Sequence, residues 1–157
     1  DNIKKSLFDI LTPYIFDSNC LDLFAGTGAI GIEALSRGAK QVTFVECSPK
    51  MIKIIKNNLD VTGLSSLAKV VLGDARRLVP SISRKCETFD IIFLDPPYGH
   101  GLAPLTLEAL SRYKLLESEG IIVARHEIRQ SMPKTYEEFK MTRQEKYGDT
   151  VISFYMF

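Results

Sequence analysis

Three acids and a glycine loop stand where they could share one ligand. Asp22-Leu23-Phe24-Ala25-Gly26-Thr27-Gly28-Ala29-Ile30-Gly31 contains GxGxxG, with Asp22 four residues ahead of the first glycine. Glycines permit a tight turn and close approach of backbone to a ligand, and a helix start offers free N–H groups. Alone, the pattern suits a dinucleotide. Asp22 argues for a different ligand, because a carboxylate repels a diphosphate and attracts an ammonium. Glu46, followed by Cys47, ends the next strand-like run, where a carboxylate can accept hydrogen bonds from both hydroxyls of a ribose. Asp74, followed by Ala75, comes after a third run and can accept from an adenine amino group. Acid, glycine loop, acid, acid describes a pocket for a nucleoside that carries an amino acid, which is the shape of S-adenosylmethionine. One such acid alone is better read as a helix cap or a solvated side chain. Three of them at strand carboxyl ends fit the edge where open α/β sheets bind ligands.

A second constellation is Asp95-Pro96-Pro97-Tyr98-Gly99-His100-Gly101, directly after the apolar run Ile91–Leu94. Each proline holds its predecessor extended and has no N–H to donate, so the strand must end there. What results is a rigid group of acceptors, the Asp95 carboxylate with the neighbouring carbonyls, beside the flat ring of Tyr98. A planar base with an exocyclic amino group suits that arrangement. Fixed acceptors on its N–H bonds orient the nitrogen lone pair and stabilise the positive charge gained on attack. Tyr98 is then a stacking platform for a flipped base. The competing reading is a proline turn with a surface tyrosine.

These residues need elements to place them. Residues 2–15 read as an amphipathic helix, 19–24 as a strand, 29–37 as a helix stopped by Gly38, and 41–46 as a strand. Ser48 can cap a helix that begins at Pro49 and runs to about Thr62, before Gly63. Residues 68–72 form a strand, 74–80 a short turn or helix, 81–88 a loop, 89–94 a strand, 102–115 a helix and 120–125 a strand. Residues 140–147 and 150–157 flank Gly148-Asp149 as a hairpin. Such alternation implies right-handed βαβ crossovers and a mostly parallel sheet covered on both faces.

Composition bounds the remainder. The 157 residues suit one domain, spanning 1–157, and 45% apolar with 25% charged residues is ordinary for a soluble globular protein. No apolar run approaches the roughly 18 residues of a membrane span, and no signal peptide opens the chain. Cys20, Cys47 and Cys86 are scattered and odd in number, which argues against disulfides and a metal site and for a cytoplasmic setting. A net charge of +1 does not by itself announce a nucleic-acid binder.

With these motifs the chain resembles the class I methyltransferases that modify amino groups, marked by (N/D)PP(Y/F). More narrowly it is similar to the bacterial RsmD-type 16S rRNA guanine-N2 methyltransferases. The resemblance rests on the opening segment 1–11, on residues 20–38 and on Asp95-Pro96-Pro97-Tyr98. It implies a Rossmann-like α/β fold with seven strands in the order 3-2-1-4-5-7-6. It implies S-adenosylmethionine bound through Asp22, Phe24, Ala25, Gly26, Thr27, Gly28, Glu46, Cys47, Asp74 and Ala75, and a catalytic role for Asp95, Pro96, Pro97 and Tyr98. Ribosomal RNA, within a small-subunit particle, would be the partner of a monomeric enzyme. Two departures stand out. The basic arm usual before the opening helix is missing, and Arg125-His126 stands where an acid is expected near the end of the fifth strand. Neither Arg125 nor His126 is given a role. Competing activities are methylation of adenine N6 in DNA, methylation of a protein glutamine, and SAM or dinucleotide binding without catalysis.

Overall fold

Helix α1 (Asn2–Ile15) forms because Leu7, Phe8, Leu11 and Ile15 recur on one face, and all four are buried. The structure is a computed structural model that describes residues 2–157. Strands β1 (Asn19–Asp22), β2 (Gln41–Glu46), β3 (Ala68–Leu72), β4 (Phe89–Leu94) and β5 (Leu116–Glu127) are parallel neighbours. Strand β8 (Thr150–Met156) returns antiparallel beside β5, followed by β7 (Phe139–Tyr147) and the two-residue β6 (Thr135–Tyr136). The sheet order is β3-β2-β1-β4-β5-β8-β7-β6.

Eight strands therefore replace the seven expected. The extra one, β6, only pairs Thr135 and Tyr136 with Lys140 and Phe139 at the edge. Without it, the order is the expected 3-2-1-4-5-7-6, with the hairpin strands in the last two places.

Period-2 alternation splits the core into two layers. Ile91 and Phe93 of β4 join α1, α2 (Ala29–Ser36) and α3 (Pro49–Thr62) on one face. Ile92 and Leu94 join α4 (Ala75–Arg84) and α5 (Leu102–Arg112) on the other. Burial on both faces explains why these strands read as nearly continuous apolar runs.

Four boundaries differ from expectation. Strand β1 stops at Asp22 rather than at residue 24, because the chain there begins its turn into the glycine loop. Helix α4 runs through Pro80 to Arg84, over residues expected as loop. Proline inside a helix costs about 3 kcal/mol. The Asp74 cap and the buried Val79 and Ile82 offset that cost. Helix α5 ends at Arg112, where Tyr113 turns to extended backbone. Strand β5 begins at Leu116 instead of residue 120: Leu116 pairs with Phe89, while the exposed Glu117, Ser118 and Glu119 bulge out of the ladder and hide its start.

Candidate active site

The carboxyl ends of β1, β2 and β4 carry Asp22, Glu46 and Asp95, and Asp74 follows β3 by two residues. Parallel pairing makes these ends one edge, so Glu46, Asp74 and Asp95, far apart in sequence, line a common cleft, with Asp22 buried beside it.

The glycine loop is built by hydrogen bonds that the sequence announces only in part. Gly28, in the left-handed region at φ 84°, precedes α2, and its carbonyl accepts from Ile32 at 2.9 Å. Gly26 sits at φ 57°, and its N–H donates to Glu46 Oε1 at 2.9 Å. The other Glu46 oxygen accepts from the Ser48 N–H at 2.8 Å. Glu46 thus ties the loop after β1 to the start of α3, a duty beyond the ribose contact expected of it. Ser48 caps α3 as expected, its hydroxyl accepting from the Met51 N–H at 3.3 Å, with Pro49 at the first turn. Asn58, which nothing in the local sequence singles out, reaches from α3 to donate to the Thr27 carbonyl at 3.0 Å. Gly31 has a packing reason: a Cβ there would lie 2.3 Å from Phe44 Cε2.

Asp22 is 2% exposed, and its Oδ2 has no hydrogen-bond partner among the described residues. Burial, and then the charge of Asp95, push its acid up to about 7 against the N–H groups of Phe24 and Gly31. Burial also raises the Asp95 acid, while the Arg125 charge pulls it down. Asp74 is the N-cap of α4, its Oδ1 accepting from the N–H groups of Arg76 and Arg77 at 3.0 and 3.2 Å. The capping role weighed against a ligand role is therefore present, although Asp74 also lines the cleft.

That cleft encloses about 280 Å³. Phe24, Gly26, Glu46, Cys47, Asp74, Ala75, Asp95 and Pro97 line it, with Leu23 and Leu102 as apolar wall. Asp22 and Ala25 are buried, and Thr27 and Gly28 belong to the turn. Pro96 and Tyr98 line an adjoining shallow cleft that shares Pro97 and Leu102 with the first and is closed by Arg125 and His126. Tyr98 is 43% exposed, with its hydroxyl 3.3 Å from Thr150 Oγ1. His126 is buried between the Ser153 hydroxyl at 2.8 Å and the Glu127 carbonyl at 2.9 Å, and burial lowers its pKa. It serves as a packed, neutral strut.

A family model described as Conserved hypothetical protein 95 matches residues 1–156. YlbH of Bacillus subtilis (strain 168) is 39% identical over 155 residues, which cover 99% of this chain and 84% of YlbH. Ribosomal RNA small subunit methyltransferase D of Escherichia coli (strain K12) is 32% identical over 155 residues, covering 99% of this chain and 76% of that protein. Among solved structures, a conserved hypothetical protein of Streptococcus pyogenes matches with a TM-score of 0.88 at 30% identity, covering 97% of this chain and 93% of that one. The fold is that of the class I methyltransferases. With the model matched along almost its whole length, the chain belongs to the Conserved hypothetical protein 95 family, that of the RsmD-type methyltransferases.

Proposed function

We propose that this protein transfers a methyl group from S-adenosylmethionine to the N2 amino group of a guanine in 16S ribosomal RNA. It would act as a monomer on a small-subunit particle, in the cytoplasm. One observation carries the reading: Asp22 holds a buried carboxylate oxygen without a partner among the described residues, next in sequence to Leu23 and within electrostatic reach of Asp95 and Glu46, all three of which line the cleft. A buried charge without a counter-ion is costly, and a cationic ligand group would relieve it. The E. coli relative bears the name of a small-subunit rRNA methyltransferase, which supports the substrate class.

The pocket residues suit the cofactor. Asp22 would meet its ammonium. Phe24, Ala25, Gly26, Thr27 and Gly28 would form the floor, Glu46 and Cys47 would flank the ribose, and Asp74 and Ala75 the adenine. When bound, S-adenosylmethionine supplies an activated methyl group. The chain's own work falls to the segment after β4. Asp95 accepts the N–H bonds of the amino group, orients its lone pair and stabilises the positive charge that nitrogen gains. Burial raises the Asp95 acid, which brings its basicity nearer to that needed to take up the proton released. Pro96 and Pro97 hold Asp95 extended and fixed. Tyr98 offers an exposed ring on which the flipped base stacks.

The test is single-turnover transfer of labelled methyl to 16S rRNA in small-subunit particles lacking this modification, followed by nucleoside mass mapping. Asp95→Ala is expected to slow transfer by roughly 10²–10³ while S-adenosylmethionine affinity is kept. A wild-type rate for Asp95→Ala, or label on any atom other than guanine N2, overturns the reading.

A further inference from the structure

Arg125 stands on β5, one residue beyond the last paired residues of the β4–β5 ladder, where Leu94 aligns with Ala124. The parallel register therefore sets Arg125 beside Asp95, one strand over and on the same face of the sheet. Adjacent strands lie about 4.8 Å apart. The Arg125 side chain is half-buried, and it closes the shallow cleft that Pro96, Pro97 and Tyr98 open. Among the described residues no hydrogen bond or ion pair within contact distance holds its guanidinium. Asp95 is its charged neighbour, felt electrostatically rather than as a bonded partner. The other titratable groups lining the cleft are Tyr98, His126 and Glu127. His126 is committed to the Ser153 hydroxyl and the Glu127 carbonyl, and the Glu127 carboxylate makes no ion pair with Arg125. Five N–H donors in a rigid fork are thus unspent at the site where the base is to be stacked.

We infer that Arg125 reads the acceptor edge of the target base, donating to guanine O6 and N7 while Asp95 holds the N2 amino group. This deepens, and rests on, the guanine-N2 reading given above. In guanine, N2 and O6 stand at the two ends of the Watson–Crick edge, separated by C2, N1 and C6, a span comparable with the strand spacing that separates Asp95 from Arg125. A forked guanidinium matches O6 and N7 together. Adenine places an amino donor where guanine has O6, so one arm of the fork would face a donor instead of an acceptor, and only N7 would still be matched. Arg125 would then be the residue that turns an acceptor site for any exocyclic amino group into one for guanine.

The same chemistry, a guanidinium on acceptor oxygens, would also suit a backbone phosphate, and the experiment separates the two. Single-turnover methyl transfer is measured on small-subunit particles reconstituted with 16S transcripts made from guanosine or from 7-deazaguanosine, which lacks N7. Wild type is expected to be about tenfold slower on the 7-deaza transcript. Arg125→Met should be roughly 10- to 100-fold slower than wild type on the guanosine transcript and indifferent to the deaza substitution. Arg125→Lys, which keeps the charge and loses the fork, should behave like Arg125→Met. Equal slowing of Arg125→Met on both transcripts, with rescue by lysine, assigns a phosphate and overturns the proposal. So does a wild-type enzyme that ignores N7, a result independent of how any variant folds. If wild type transfers no methyl to guanine N2 on either transcript, the underlying reading fails, and this one with it.

Discussion

Asp22→Asn should make the cofactor-free protein more stable at alkaline pH and nearly neutral in effect at acid pH. The Asp22 carboxyl is raised in the folded protein from 3.8 to about 7, chiefly by burial and then by Asp95. In the unfolded chain it titrates near its ordinary value. Below the unfolded value both states hold the proton and nothing is lost. Between the two values the folded state keeps a proton that the unfolded state has released, so stability falls as pH rises, and the fall is complete above about 7. Each pKa unit is worth 1.36 kcal/mol, so a shift of about 3 units corresponds to about 4 kcal/mol. Of that, about 3 kcal/mol falls between pH 5 and pH 8. Asparagine removes the titration and leaves the shape. The stability of Asp22→Asn relative to wild type should therefore rise by about 3 kcal/mol over this range, or roughly 6–12 °C in Tm for a chain of this size. The assay is thermal unfolding of both proteins, without cofactor, at pH 5 and pH 8. Taking the difference between the two proteins cancels the titrating groups that do not interact with Asp22; the coupled Asp95 contributes to the difference as well. A difference that does not change with pH would refute the argument, since it would mean that Asp22 is not held as a strained, uncompensated acid. Because that strain is what a cationic ligand relieves, the same variant should bind S-adenosylmethionine more weakly by calorimetry at pH 8.

Glu46→Ala removes the acceptor shared by the Gly26 and Ser48 N–H groups. Losing the proposed ribose hydrogen bonds to this charged acceptor should weaken S-adenosylmethionine binding by roughly 1.5–3 kcal/mol, read by calorimetry, with the far-UV circular dichroism unchanged. Tyr98→Ala should leave cofactor affinity alone and raise the RNA concentration needed for half-maximal rate, a stacking loss of roughly 1–3 kcal/mol that more RNA recovers. Gly31→Ala pushes a methyl to 2.3 Å from the wholly buried Phe44 ring. Overpacking of that kind should cost roughly 1–3 kcal/mol in denaturant unfolding, with an unchanged m-value.

The motifs were legible because their chemistry is local. Asp22 ahead of GxGxxG, Ser48-Pro49 at a helix start, and Asp95-Pro96-Pro97-Tyr98 after an apolar run each carry their own geometric consequence. Proline ends a strand and serine caps a helix whatever lies elsewhere in the chain. Alternating strand and helix patterns likewise imply the doubly covered sheet, and hence a shared carboxyl edge for Asp22, Glu46 and Asp95.

What the sequence could not show depends on partners distant in the chain. The run of α4 through Pro80 depends on the burial of Val79 and Ile82 against the sheet, an energy absent from the local propensity. The early start of β5 depends on Leu116 finding Phe89. The Asn58 amide on the Thr27 carbonyl and the double grip of Glu46 on two backbone N–H groups follow from how α3 docks beside the glycine loop. Arg125 gains its meaning only from the register of β4 against β5. The sequence by itself determined which residue types carry chemistry and on which elements they stand, because those follow from local steric and hydrogen-bonding rules. Only the tertiary structure decided which of them meet, since strand register and helix docking are fixed by burial summed over the whole sheet.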